Sequence, residues 1–160
     1  MWQKLIHALN DLSDAYAALL EISGRKRVAL VAVNLKGLEP IVAEEEQQLE
    51  RIRAAEKRRQ DALLALSRGI PFTHSATTMA DVEAACPGEL RATLRAVHTQ
   101  LGKRVEKAKE AGEMNEFLIR QALGAVEYHL NRISNSSIDP TYGEKGAETV
   151  SREKKFDFKA

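Results

Sequence analysis

Apolar residues recur at steps of three and four along most of the chain. The series Trp2, Leu5, Leu9, Leu12, Tyr16 and Leu19 marks one face of a helix, weakens through Ser23 and Lys26, and resumes at Leu30 and Val33. This predicts one long helix with a polar waist. Glycine inside a helix costs about 1 kcal/mol against alanine, so Gly24 marks the place where a break would fall. Asn34 is the expected N-cap of a second helix, and Pro40 lies close enough to its start to do little harm. The seam of that helix reads Leu38, Val42, Glu45, Leu49, Ile52, Glu56, Arg59, Leu63 and Leu66, a heptad spacing with charge at core-like positions.

Gly69, Pro71 and the Thr/Ser-rich stretch 73–78 end the second helix and form a loop. Thr78-x-x-Asp81 has the spacing of a capping box for a short helix over 79–85, closed by Pro87-Gly88. Residues 89–133 then carry the longest pattern: Leu90, Leu94, Val97, Leu101, Val105, Ala108, Gly112, Asn115, Ile119, Leu123, Val126, Leu130 and Ile133. At 1.5 Å per residue this helix would reach about 65 Å. Beyond it, 134–160 is rich in Ser, Asn, Gly and charge, too polar to bury a core of its own and expected to be mobile when free. Each long helix has one strong stripe and no fixed-period repeat is present. The expected fold is therefore all-α: an elongated antiparallel bundle of three long helices with a short connecting helix and a flexible C-terminal tail. Residues 1–133 would form the bundle domain and 134–160 a partner-docking tail.

Composition supports the helical reading. Hydrophobic residues make up 44% of the 160, but aromatic ones only 5%, which suits packed helices better than a β-sandwich or an aromatic-lined cofactor pocket. Lys plus Arg (24) nearly balances Asp plus Glu (23), so no net basic field exists to hold nucleic acid or an anionic membrane. A single cysteine, Cys86, cannot form an internal disulfide, and the start of the chain reads as a patterned helix rather than a secretory signal. No stretch approaches the ~18 apolar residues of a membrane span. A reduced, cytoplasmic protein without membrane insertion is expected.

The residue types needed for catalysis do not converge. His7, His74, His98 and His129 are scattered, and none follows a glutamate at the Glu-x-x-His spacing of metal-binding bundles. Cys86 lies beside Pro87-Gly88 with nothing local to orient it as a nucleophile, and reads as a small buried or half-exposed thiol. No glycine-rich phosphate cradle is present, and Asn135-Ser136-Ser137 is a chance glycosylation triplet. The basic run Lys103-Arg104-x-x-Lys107-x-Lys109 is interrupted by Glu106 and Glu110 and reads as a solvated helical face. Neither an enzyme nor a cofactor or metal site is expected.

The apolar arc widens in the second half of the last helix. Besides the seam through Ile119, Leu123, Val126, Leu130 and Ile133, a second stripe runs through Met114, Phe117, Leu118, Ala125 and Tyr128. One stripe can pack within the chain; the other would face water unless a partner helix covers it.

On this helix, Asn115-Glu116-x-Leu118-Ile119-x-x-Ala122-Leu123, followed by Thr141-Tyr142-Gly143-x-x-Gly146 in a polar tail, resembles the FlgN family of flagellar type III export chaperones. The front of the chain follows the same order: a helix, a turn at Asn34-Leu35, and a second helix with Glu45, Leu49 and Glu56-x-x-Arg59. The resemblance implies a cytosolic chaperone that binds hook-filament junction proteins, keeps their helical terminal segments from associating early and delivers them to the export apparatus. By that similarity the client docks on Met114, Asn115, Leu118, Ile119, Leu123, Val126, Leu130 and Ile133. Tyr142 and Gly146 belong to the tail element that meets the export gate or its ATPase complex. The short helix at 79–85 and the Phe156-Asp157-Phe158 end depart from the family pattern. The competing reading from the same stripe is a self-assembling coiled-coil adaptor, with weak self-association through the last helix.

Overall fold

The computed structural model describes residues 1–69 and 78–136, and every element in them is helical: α1 (Trp2–Val31), α2 (Leu35–Ser67), α3 (Met79–Ala85) and α4 (Gly88–Ser136). Two compact units divide the chain, Met1–Ala122 and Leu123–Ala160.

In the first unit α1 runs unbroken through Gly24, which stands exposed with open space around its Cα. The helix ends in a Schellman-type turn: the Asn34 N–H donates to the Ala29 carbonyl at 2.9 Å and the Val33 N–H to the Leu30 carbonyl at 3.1 Å. Asn34 then caps α2 by accepting the Gly37 N–H at 3.0 Å, as the sequence leads one to expect. Pro40 lies inside α2 and is exposed, so the carbonyl one turn before it can turn to water.

Contacts between α1 and α2 run in opposite directions along the chain. Asp11 faces Arg58 at 3.5 Å, the Ala15 carbonyl accepts from Gln48 Nε2 at 2.8 Å, and Arg25 and Lys26 pair with Glu44 and Glu45 at 2.7 and 2.6 Å. Contacts between α1 and α4 run in the same direction. Arg104 donates to Ser13 Oγ and Asp14 Oδ1, both at 2.9 Å, and Asn115 Nδ2 donates to the Ser23 carbonyl at 2.9 Å. Arg104, expected on a solvated face, thus turns inward.

All four helices contribute to one core cluster, including Leu5, Leu9 and Leu12 of α1, Ile52 and Leu66 of α2, Val82 of α3, and Leu94, Val97 and Leu101 of α4. Ala8, Ser13, Ala55 and Ala108, all small, are buried. On α4 the buried Leu94, Leu101, Ala108 and Asn115 stand seven residues apart, a heptad row.

The seam of α2 differs from the expected one. Leu49 is 40% exposed while its neighbour Gln48 is buried, so the row facing α1 is Glu45, Gln48, Ile52, Ala55 and Arg59. The Gln48 amide reaches an α1 carbonyl that an aliphatic side chain would leave without that donor. α3 forms over the expected residues with both halves of the capping box: Thr78 Oγ1 accepts the Asp81 N–H and Asp81 accepts the Thr78 N–H. Its Glu83 pairs with Arg95 at 3.0 Å, holding it against the start of α4.

Among the described residues no helix is long and apolar enough to cross a membrane.

Candidate functional site

Two features of the first unit could carry chemistry. A cleft of about 670 Å³ opens among the helices, lined by Leu12, Tyr16, Leu63, Met79 and Val105 with the Glu56 and Arg59 pair at its edge. Arg59 binds Glu56 through two hydrogen bonds of 2.8 and 2.6 Å, and this donation holds the Glu56 carboxyl below its ordinary value. A carboxylate so stabilised is a poor proton carrier at neutral pH. Cys86 caps α3 with its side chain buried, and desolvation pushes the thiol up, away from the thiolate a nucleophile needs. Among the described residues no group of three or more His, Cys, Asp or Glu side chains is placed to hold a metal ion.

The other candidate lies on α4. Within the first unit, Met114 is partly exposed, Asn115 is buried, and Leu118 and Ile119 are half-buried. Asn115 is held by its hydrogen bond to Ser23, and its Oδ1 has no partner among the described residues. It is thus a packing residue of the α1 contact, and the heptad row 94, 101, 108, 115 is the sequence signal that points to this. Phe117, on the same turn, is more than half exposed.

In the second unit, residues 123–135 of α4 are all exposed. Leu123, Val126, Leu130 and Ile133 expose between 56% and 64% of their surface. Their spacing of three and four puts them on one face of the helix. Tyr128, also exposed, packs its ring edge-on against His129 at a centroid distance of 5.6 Å. Large aliphatic side chains grouped at helical spacing and facing water form an apolar face on which another amphipathic helix can pack. Tyr142 and Gly146 lie outside the described residues.

No curated protein and no solved structure matches the chain. The profile of the family described as FlgN protein matches residues 1–149. That span takes in all four helices, the exposed stripe of α4 and the stretch containing Tyr142 and Gly146, and the chain belongs to the FlgN family.

Proposed function

We propose that this protein is a cytoplasmic flagellar type III export chaperone that binds hook-filament junction proteins, prevents their premature assembly and delivers them to the export apparatus. The observation that carries the reading is the exposed stripe Leu123, Val126, Leu130 and Ile133 on a helix whose upstream part is built into the bundle. A client with amphipathic terminal helices would lay its apolar face on this stripe, hiding the surface through which it polymerises. Met114, Leu118 and Ile119 would extend the contact, and Asn115 would act by fixing α4 on α1. In this division of labour 1–133 is the client-binding domain and 134–160 the docking tail, with Tyr142 and Gly146 meeting the export gate or ATPase complex.

Magnitudes fit a delivery role. Fully burying a Leu, Ile or Val gains roughly 1.5–3 kcal/mol, so covering the exposed part of the four stripe residues gains roughly 4–7 kcal/mol. That falls short of the ~8 kcal/mol of a micromolar complex before the cost of association is met. The stripe alone gives weak, reversible binding, and stable capture needs further contact.

The test is co-purification of candidate junction proteins with the full-length chain, a truncation after Ile133, and Tyr142→Ala. The full-length chain, the truncation and Tyr142→Ala are expected to capture the client equally, with export lowered by both the truncation and Tyr142→Ala. Absence of capture by the full-length chain refutes the function; loss of capture in Tyr142→Ala refutes the division between helix and tail.

A further inference from the structure

The turn joining α1 to α2 carries a group of apolar side chains that the fold does not use. Val28, Val31, Val33 and Leu35 lie close together in the sequence, and each leaves between 67% and 73% of its surface in water. Residues 31–36 are exposed without a break, so the apex of the hairpin protrudes from the first unit. Single exposed aliphatic residues are ordinary, whereas a group at one place marks a contact surface.

Val33 supplies a second observation. Its φ of 52° is held by the hydrogen bonds that close the turn, from Val33 to the Leu30 carbonyl and from Asn34 to the Ala29 carbonyl. Glycine is usual at this place, and a β-branched residue is strained there. The exposed side chain adds little packing, so valine lowers stability with nothing gained inside the fold. Strain kept at an exposed position points to a contact outside the chain.

Charge indicates what that contact is. Between Glu21 and Glu39 the chain carries Arg25, Lys26, Arg27 and Lys36 and no acidic residue, although the sequence as a whole is nearly balanced. Arg25 and Lys26 pair with Glu44 and Glu45. Arg27 and Lys36, one on each helix, are exposed and form no ion pair among the described residues. Glu39, the first acid of α2, lies about 6 Å further from the apex than Leu35 at 1.5 Å per residue. Aliphatic side chains flanked by free bases match an anionic lipid surface, the former entering the acyl boundary and the latter meeting headgroups. A protein partner fits less well. Protein interfaces use about twenty or more residues a side, and their dominant positions favour Trp, Tyr and Arg over Val and Leu. A protruding apex without aromatic residues offers a protein no pocket, whereas lipid conforms to it.

We infer that the α1–α2 apex rests on an anionic membrane surface, as a peripheral and reversible contact made by Val28, Val31, Val33 and Leu35 with Arg27 and Lys36. These residues are distinct from the client surface on α4, so either reading can fail without the other.

Flotation of the full-length chain with lipid vesicles tests this. One set of vesicles is phosphatidylcholine alone, the other phosphatidylcholine and phosphatidylglycerol in equal parts. The chain is expected to bind the mixed vesicles about fivefold or more tighter than the neutral ones, with the difference shrinking as salt is added. Val33→Gly and Lys36→Glu are each expected to weaken binding to the mixed vesicles about fivefold. Neither harms the fold: glycine relieves the turn, and an acid in the first turn of α2, where none stands, suits the helix dipole. Circular dichroism melts should therefore show a Tm equal to or above the parent's beside the reduced lipid binding, a split that a merely structural role would not produce. Failure of the parent to bind mixed vesicles overturns the inference, as does equal binding to both vesicle types. Undiminished binding by either variant places the lipid contact elsewhere and overturns it too. A dimer by light scattering that Val33→Gly dissociates overturns it in favour of a second copy of this chain.

Discussion

Val33 sits in the turn between α1 and α2 with a φ of 52°, in the left-handed region that a β-branched residue adopts least readily. The two hydrogen bonds closing the turn require a residue there in this conformation, a position usually held by glycine. The Val33 side chain is 71% exposed, so replacing it removes little packing. Left-handed backbone costs an L-residue roughly 1–2 kcal/mol, while glycine gives back roughly 0.5–1 kcal/mol through the greater freedom of the unfolded chain. Val33→Gly should therefore stabilise the protein by about 0.5–1 kcal/mol, which for a chain of this size raises Tm by roughly 1–4 °C. Thermal melts followed by circular dichroism would measure it. Val33→Ala keeps the chirality penalty and should gain less, with Val33→Asn between the two, because asparagine tolerates this region. A lower Tm for Val33→Gly, or an equal gain from Val33→Ala, would refute the attribution to backbone strain.

Other consequences are local and separable. Gln48→Leu should lower stability by about 0.5–1.5 kcal/mol, because the Ala15 carbonyl loses the donor that Gln48 Nε2 supplies. Gln48→Glu should lower the denaturant midpoint by burying a charge that repels the Ala15 carbonyl it faces. Cys86 should react with iodoacetamide more slowly than a free thiol at about pH 8, its rate rising at higher pH and in urea, since burial both shields the sulfur and raises its pKa; a rate equal to that of free cysteine would contradict the burial. Because Arg59 lowers the Glu56 carboxyl from its ordinary 4.5, the pair's contribution to stability is present above that pH and lost as pH falls through the folded value. The difference in urea midpoint between the parent and Glu56→Gln should accordingly shrink between about pH 6 and about pH 3.

Features set by neighbouring residues were legible in the sequence. The capping box at Thr78 and Asp81, the N-cap at Asn34, the continuity of α1 through Gly24 and the extent of α3 all depend on local chemistry, and all appear in the structure. The long helix was foreseen over 89–133 and runs over Gly88–Ser136. Features set by tertiary contact were not. Hydropathy favours Leu49 over Gln48 for the α2 seam, and only the position of the Ala15 carbonyl reverses the choice. Arg104 looks like one of a basic run until Ser13 and Asp14 of α1 stand opposite it. Asn115 reads as a polar member of a binding motif, but its amide is buried against Ser23. The apolar spacing of Leu123, Val126, Leu130 and Ile133 was legible, but their exposure was not, because it depends on what lies beside them and the spacing leaves open which of the two stripes packs within the chain.

The claim that this stripe is the client surface meets its most direct test in the affinity of a purified hook-filament junction protein for the full-length chain and for Leu123→Asp, with the Tm of both chains recorded alongside. Leu123 is 62% exposed, so its replacement should leave Tm within roughly 1–2 °C of the parent. Binding by the parent with loss of affinity of about tenfold or more in Leu123→Asp, at unchanged Tm, is the expected result. Equal affinity of the two chains for the client would contradict it.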